Sequence, residues 1–152
     1  MFTKLHKLVQ TKTTMNVQHF LDIAEGLCYN SDNKRVRLGC VLVYKNTIIS
    51  TGYNHGNKTS PIQKRYNKYR GYNPDAPKQR NIIHAEINCL SKAKYLSIDW
   101  GKANLFICRI LKNGKRDMAR PCPACMNYIK TLGIKNIYYT TDCGWAYERV
   151  IK

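Results

Sequence analysis

Apolar residues change their spacing along this 152-residue chain from a helical repeat to a strand-like alternation and back. Between residues 16 and 29 they recur at helical spacing, which predicts an amphipathic helix with Asn16 as its N-terminal cap. Two β-rich runs follow, at 36–44 and 47–51. Only Lys45-Asn46 separates them, and so short a connection predicts an antiparallel hairpin.

Helices and strands alternate in the second half of the chain. The pattern predicts helices from about His84 to Tyr95 and from Cys122 to Leu132, and strands over 105–111 and 134–141. Right-handed crossovers make the strands that follow each helix parallel neighbours. The expected architecture is therefore a three-layer α/β domain around a mixed sheet.

The last residues are predicted to form a hairpin strand. Only Asp142-Cys143-Gly144 lies between the strand that ends near Thr141 and the alternating segment 145–151. This connection is too short for a crossover helix, so the last strand is expected to run antiparallel to its neighbour. A short terminal helix over 144–152 is the alternative.

Two short motifs combine a histidine, a glutamate and two cysteines. His84-Ala85-Glu86 stands at one predicted helix start and Pro121-Cys122-Pro123-Ala124-Cys125 at the other. One imidazole and two thiolates fill three positions of a tetrahedral zinc ion and leave the fourth to water. Glu86 is not needed as a ligand and can move protons. The positive ends of the two helix dipoles favour thiolate over thiol.

The same cysteines have two other interpretations, a structural zinc site and a Cys-x-x-Cys redox pair. A structural site needs a fourth ligand at a suitable spacing. The five remaining cysteines form no second C-x-x-C motif, and the chain has no H-x-x-x-H motif. Neither alternative gives Glu86 a role.

With these motifs the chain resembles the zinc-dependent nucleobase deaminases, the superfamily of cytidine, deoxycytidylate, tRNA-adenosine and polynucleotide cytosine deaminases. The resemblance extends from about Val36 to about Val150. It implies a cytidine-deaminase-like α/β/α fold with a mixed five-stranded sheet in the order 2-1-3-4-5. It also implies Zn²⁺ held by His84, Cys122 and Cys125. An inactive member of the superfamily is a further alternative, although these positions are intact.

The resemblance also implies a reaction, the hydrolysis of a cyclic amidine. Zinc activates a water molecule that attacks C4 of cytosine, and Glu86 carries its protons to the ring and then to the departing amine. Ammonia leaves and uracil remains. Adenosine deamination uses the same apparatus and stays open. The predicted terminal hairpin is shared with free-cytidine deaminases and some bacterial toxin deaminases.

Substrate contacts are predicted at four positions near these motifs. Asn54 matches an asparagine that commonly holds the sugar or base, although asparagine after glycine is also typical of a turn. Ala85 matches a residue whose backbone N–H meets the pyrimidine carbonyl. Arg120 stands where many members have glutamate or serine, and it is suited to binding a phosphate. Trp145 is a candidate for base stacking, whereas Tyr139 is expected in the core.

Charge adds a second line of argument about the substrate. The chain has 26 Lys and Arg against nine Asp and Glu, a net charge of +17. An insertion at about 57–81 interleaves basic residues, which hold phosphates, with tyrosines, which stack on bases. Its predicted substrate contacts are Arg65, Tyr66, Tyr69 and Arg70. The alternatives are a partly helical insertion whose tyrosines pack on the core, and a general surface bias towards lysine.

Single-stranded DNA or RNA is therefore the favoured substrate. Free cytidine, deoxycytidine or their monophosphates are the second interpretation. A non-catalytic nucleic-acid-binding zinc domain, which would bind in a salt-dependent way without chemistry, is the third.

The organisation expected is a basic N-terminal extension at 1–15 and one deaminase domain at 16–152. The chain has no apolar run of signal-peptide or membrane-helix length. Its odd number of remaining cysteines makes no regular disulfide framework. We therefore expect a cytoplasmic protein in a reducing compartment, without a membrane partner. No feature of the sequence specifies an oligomeric state.

Overall fold

The computed structural model describes residues 15–33, 35–71 and 81–151. Its α-helices within these ranges are α1 (Val17–Cys28), α2 (Pro61–Tyr66), α3 (Ala85–Ala93) and α4 (Pro123–Leu132). Its strands are β1 (Arg37–Tyr44), β2 (Thr47–Tyr53), β3 (Asn104–Ile110), β4 (Arg116–Asp117), β5 (Asn136–Thr141) and β6 (Gly144–Arg149). Short 3₁₀ segments occupy Asn67–Arg70 and Trp100–Lys102.

The strands form one mixed sheet in the order β2-β1-β3-β5-β6, with β4 paired to β3. β1 is antiparallel to both β2 and β3, β3 is parallel to β5, and β5 is antiparallel to β6. The predicted order 2-1-3-4-5 therefore differs only by the additional strand β4. This strand has two residues and is too short to show an apolar pattern. The predicted terminal hairpin is confirmed, because Thr141 pairs with Gly144 across its turn.

Helices cover both faces of this sheet, as predicted. Side chains alternate along β1, so that Cys40 and Leu42 face α3 and α4 while Val41 and Val43 face α1. The amphipathic helix α1 closes one face, and Asn16 caps it by accepting the backbone N–H of His19 at 3.0 Å. The other face carries α3 and α4, whose N-termini hold the two motifs.

The basic insertion is partly helical, which agrees with one of its two predicted alternatives. Ser60 caps α2 by accepting the backbone N–H of Gln63 at 3.3 Å, and Pro61 occupies the first helical position. Residues 72–80, which include Tyr72, Lys78 and Arg80, lie outside the described residues, as do 1–14 of the basic extension. Within the described ranges, no helix is both long enough and apolar enough to cross a bilayer.

Close packing of β2 on α3 depends on Gly52. A Cβ atom built there would lie only 2.8 Å from the carbonyl oxygen of Ala85 and from Cα of Cys89. Both are backbone atoms of a helix packed in the core, so they cannot move aside independently. Only glycine lets the helix that carries His84 and Glu86 approach the sheet this closely.

We therefore predict that Gly52→Ala lowers the free energy of unfolding by roughly 1–3 kcal/mol, the usual effect of overpacking a core. Gly26→Ala is the matched control, because Gly26 lies within α1 and a Cβ there meets nothing within 4 Å. It should stabilise the protein by about 0.5–1 kcal/mol through helix propensity. Urea denaturation measures both variants, and an unchanged Gly52→Ala protein would contradict the packing argument.

Candidate metal centre and active site

The three predicted metal ligands meet where α3 and α4 begin. His84 is the N-cap of α3 and Cys122 the N-cap of α4, and neither side chain caps its own helix. Pro123 occupies the first position of α4, where a missing N–H costs nothing. Cys125 lies one turn further along, which brings its sulfur back to the same side as Cys122.

The geometry of these side chains fits a zinc ion. Nδ1 of His84 lies 3.5 Å from Sγ of Cys122 and 3.5 Å from Sγ of Cys125. All three ligand atoms are within 4.8 Å of one another. Zinc bonds of ~2.05 Å to nitrogen and ~2.3 Å to sulfur give a separation of about 3.6 Å at the tetrahedral angle. The site is therefore preformed for a metal held through Nδ1.

The two thiols differ in their electrostatic environment. The hydrogen bond from Cys125 and the neighbouring imidazole of His84 lower the pKa of the Cys122 thiol to about 4. Burial raises the pKa of the Cys125 thiol, and the Cys122 thiolate beside it adds to that effect. Metal binding consequently has to displace the proton of Cys125, while Cys122 is already a thiolate.

Glu86 lies in the first turn of α3, two residues after the histidine, and its side chain faces the ligands. It is only 3% exposed, and Oε1 has no hydrogen-bond partner among the described residues. Burial raises the pKa of this carboxyl, and the Cys122 thiolate raises it further. A buried carboxyl with an unused oxygen beside a metal site suits a residue that takes up and returns a proton.

A cavity of about 390 Å³ adjoins the site and is lined by His84, Glu86 and Cys122. Three arginines line it as well, namely Arg70, Arg109 and Arg120. Its remaining polar lining comes from Asn33, Asn54 and His55. The volume is within the ~300–1,000 Å³ that is usual for small-molecule sites.

Two of the predicted substrate residues, Asn54 and Arg120, line this cavity but also make hydrogen bonds within the protein. The side chain of Asn54 accepts the backbone N–H of Leu38 at 2.9 Å and donates to the carbonyl of Val36 at 2.8 Å. Arg120 donates two hydrogen bonds of 2.8 Å to the carboxylate of Glu148. Both side chains therefore have protein partners already.

Ala85 is the first residue of α3, and backbone N–H groups of a first helical turn have no partner within the helix. Arg70 also lies at the site, because its Nη1 donates to Nε2 of His84 at 2.9 Å. This contact requires the ring proton on Nδ1. A metal at Nδ1 leaves the proton on Nε2 instead, so the metal-loaded histidine cannot accept this hydrogen bond.

The structure places the predicted aromatic contacts away from the cavity. The ring of Tyr66 packs edge-on against Tyr128 of α4 at 5.1 Å, with Tyr69 at 5.8 Å on its other side. Neither tyrosine lines the cavity, and Arg65 is exposed outside it. Tyr66 therefore packs on the core, as the alternative interpretation of the insertion predicts.

Trp145 requires a correction. It belongs to β6 and packs on the α1 side of the sheet, with its ring 6.1 Å from Tyr138. That is the face opposite the metal ligands, so Trp145 does not line the cavity. The alternation of side chains along β6 decides on which side of the sheet Trp145 lies. Tyr139, by contrast, is buried in the core as expected.

Arg109 is a charged residue of the site that no sequence motif indicates. It follows Leu105 and Ile107 on the same face of β3, at the carboxyl end of the strand. Its guanidinium makes no hydrogen bond or ion pair with the described chain, and Nε is buried without a partner. Asp117 pairs with it across β4 but forms no ion pair with it. The sequence does contain a signal for it, because a charged residue stands where the alternation of β3 predicts a buried apolar one.

The comparisons with known proteins agree with this site. A family model described as the cytidine and deoxycytidylate deaminase zinc-binding region matches residues 14–141, most of the chain. The chain belongs to this family. As a cytidine and deoxycytidylate deaminase family member it is a zinc-dependent hydrolase that deaminates cytosine, and His84, Cys122 and Cys125 are positioned to bind the ion. Among curated protein sequences, none matches this deaminase.

Solved structures share the fold of the deaminase. The dCMP deaminase of cyanophage S-TIM5 in apo form is 24% identical over 82% of each chain, with a TM-score of 0.57. The same phage enzyme in complex with dCMP and dUMP is 24% identical over 80% of this chain and 78% of the other, with a TM-score of 0.55. Cytidine deaminase from Burkholderia pseudomallei is 13% identical over 90% and 94%, with a TM-score of 0.61.

We predict that Glu86→Gln abolishes turnover and leaves zinc bound. The amide keeps the shape of the side chain but cannot take a proton, and loss of a general acid–base typically costs ~10²–10⁴ in rate. Because Glu86 is buried with an unpartnered oxygen, the neutral variant should be at least as stable as the parent. Ammonia release, zinc content and melting temperature test this, and turnover within tenfold of the parent would contradict it.

The ion pair between Arg120 and Glu148 generates a prediction about pH. Hydrogen bonds from Arg120 hold the pKa of the Glu148 carboxyl below its usual value. The stabilisation is therefore complete above the unfolded pKa of about 4.3 and is lost as the pH falls through the lower folded pKa. Glu148→Gln should cost about 1 kcal/mol at neutral pH, because Arg120 is exposed and Glu148 is only half-buried, so solvent screens the pair. In urea denaturation this cost should shrink as the pH falls below about 4.3 and vanish only below the lowered folded pKa of Glu148; a pH-independent cost would refute the link.

Proposed function

We propose that this deaminase acts on the cytosine of a free 5′-nucleotide, releasing ammonia and leaving the uracil nucleotide. The observation that carries this proposal is Arg109, an arginine without a protein partner that lines the same cavity as His84 and Glu86. A cation held beside a catalytic centre favours a substrate that brings its own negative charge.

Of the three arginines that line the cavity, Arg109 is the one whose guanidinium lacks an acceptor in the described chain. A buried guanidinium nitrogen without an acceptor costs free energy that a bound phosphate would offset. Arg120 is already neutralised by Glu148, and Arg70 donates to Oδ1 of Asn67. A phosphate offers the planar fork of Arg109 two oxygens at once. The same cavity has room for one nucleotide, with the base towards Glu86.

Residues of the chain perform most of the proposed reaction. When bound, zinc supplies the Lewis acidity that activates water as the nucleophile. Glu86 takes one proton from that water and gives it to the ring nitrogen. It then moves the second proton, from the hydroxyl now on C4, to the amino group, which leaves as ammonia while the C4 carbonyl of uracil forms. The raised pKa of the Glu86 carboxyl favours this, because the group can hold the proton between the two transfers. The backbone N–H of Ala85 orients the pyrimidine carbonyl.

The phage dCMP deaminase solved with dCMP and dUMP supports this choice, since it shares the fold and its ligands are nucleoside monophosphates. The packing of Tyr66 against Tyr128 supports the nucleotide proposal by weakening the case for a nucleic acid strand. A ring engaged with α4 in this way has less of its surface left for stacking on a base.

Single-stranded DNA or RNA is the second candidate, and one observation favours it. The insertion exposes Lys64, Arg65 and Lys68 together, within a chain of net charge +17. Such a surface attracts polyanions and could hold the phosphates of a strand whose target base enters the cavity.

We expect the zinc-loaded protein to deaminate dCMP or CMP in preference to the nucleosides and to a cytosine-containing single-stranded oligonucleotide. Arg109→Met should lower kcat/KM for the monophosphate by about 10- to 100-fold, the loss expected for a charge-assisted hydrogen bond. Its kcat/KM for the nucleoside should change little, because the nucleoside has no phosphate. Uracil formation and ammonia release measure all substrates in parallel.

Arg65→Met is the matched control, since Arg65 is exposed and does not line the cavity. It should leave nucleotide turnover unchanged. Conversion of the oligonucleotide alone, impaired by Arg65→Met, would replace the nucleotide proposal with the strand. An equal loss on nucleoside and nucleotide in Arg109→Met would show that the arginine does not bind the phosphate.

A further inference from the structure

Gln63 of the insertion is a polar side chain with no exposed surface. Burying an amide is costly unless its hydrogen bonds are made inside the protein. Here both ends are used. Oε1 accepts the backbone N–H of His84 at 3.0 Å, and Nε2 donates to Oδ1 of Asn67 at 2.9 Å. The backbone N–H is a donor only, so it fixes which end of the amide faces His84.

His84 needs this partner because of its position in α3. As the N-cap it has an extended backbone, with φ −83° and ψ 159°, and its imidazole faces the two thiols instead of capping the helix. In a capping box, a Glu or Gln at the third helical position bonds the N-cap N–H. The third position of α3 is Ile87, which has no polar atom to offer. Gln63 of α2 supplies the missing acceptor.

The amide of Gln63 is itself held in place by its neighbours. Asn67 Oδ1 also accepts from Arg70 at 3.3 Å, and Asn67 Nδ2 donates to Asn81 at 3.0 Å. The insertion is joined to the strand-like segment before α3 by a hydrogen bond of 2.8 Å from Ile83 N–H to the carbonyl of Lys58. The buried end of the insertion is therefore a polar network that terminates on the backbone of the zinc ligand.

We infer that Gln63 is a positioning residue for the metal site. By fixing the backbone of His84, it sets the direction of Nδ1 towards the two sulfurs and the start of the turn that carries Glu86. The basic insertion thus has a structural task at the centre that is independent of which substrate the deaminase takes. Hydrogen-bond partners of the second ring nitrogen of metal-binding histidines contribute ~10–100-fold to metal affinity, and we expect an effect of the same order from the partner of the His84 backbone N–H.

The test compares Gln63→Met with Gln63→Glu. Methionine fills the space without an acceptor. Glutamate keeps an oxygen for the His84 N–H and, as a fully buried acid that stays protonated, still has an O–H to donate to Asn67. We expect Gln63→Met to bind zinc about 10–100-fold more weakly in competition with a chromophoric chelator. Its cobalt-substituted form should show altered d–d and thiolate charge-transfer bands, and kcat should fall with KM nearly unchanged. Gln63→Glu should retain zinc affinity within about tenfold of the parent and the parent's cobalt bands.

Asn88→Leu is the matched control for a lost buried amide on the same helix. Asn88 Oδ1 accepts the backbone N–H of Tyr53 at 3.1 Å, on the side of α3 that packs against β2. This variant should lower the melting temperature but keep the zinc affinity and the cobalt spectrum of the parent.

Parent-like zinc affinity and cobalt bands in Gln63→Met would overturn the inference. So would an equal loss of zinc affinity in Asn88→Leu at a matched loss of melting temperature, because the effect would then be general loosening of α3. If Gln63→Met does not fold, Gln63→Glu decides. A folded glutamate variant that loses more than about tenfold in zinc affinity would contradict the role of the acceptor.

Discussion

The convergence of two helix N-termini on one point is the constraint on which the rest of the site depends. Three ligands can meet only if α3 and α4 begin at the same edge of the sheet and lie on the same face. The sheet order ensures this. The connections from β2 to β3 and from β3 to β5 move in one direction along the sheet, so right-handed crossovers place both helices on one side.

Placing metal ligands at N-cap positions removes the side-chain caps of α3 and α4, and other residues compensate for their loss. His84 and Cys122 give up the side-chain capping that Ser, Thr, Asp or Asn normally provide. Pro123 removes one unsatisfied N–H at α4, and Gln63 bonds the N–H of His84 at α3. In return the helix dipoles favour the thiolates. Gly52 completes the arrangement by letting α3 lie close to β2.

Local sequence signals were sufficient for the fold and the metal ligands. The change of apolar period located the main helices and strands, and the short turn before Gly144 decided the terminal hairpin. The two motifs identified His84, Cys122 and Cys125 because their spacing is set by one helix start each. β4 escaped prediction, since two residues carry no period.

The cavity wall could not be predicted in the same way, because it is assembled from distant segments. Arginine is usually found on protein surfaces. Arg109 lines the cavity only because β3 folds beside the segment 118–120, which lines it as well. Gln63 appears as one polar residue in a basic insertion until α2 brings its amide to His84. Tyr66 has the composition of a base-stacking residue, but its ring is used against Tyr128. Tertiary contacts decide each of these roles.

X-ray absorption at the zinc edge of the metal-loaded protein tests the central claim of a catalytic zinc most directly. A catalytic zinc held by His84, Cys122 and Cys125 should show two sulfur ligands at ~2.3 Å, one nitrogen at ~2.0 Å and one oxygen from water. The oxygen should be exchanged when a competing ligand is added. A shell of four protein ligands, with a third sulfur or a second imidazole and no exchangeable position, would show a structural zinc and contradict the account.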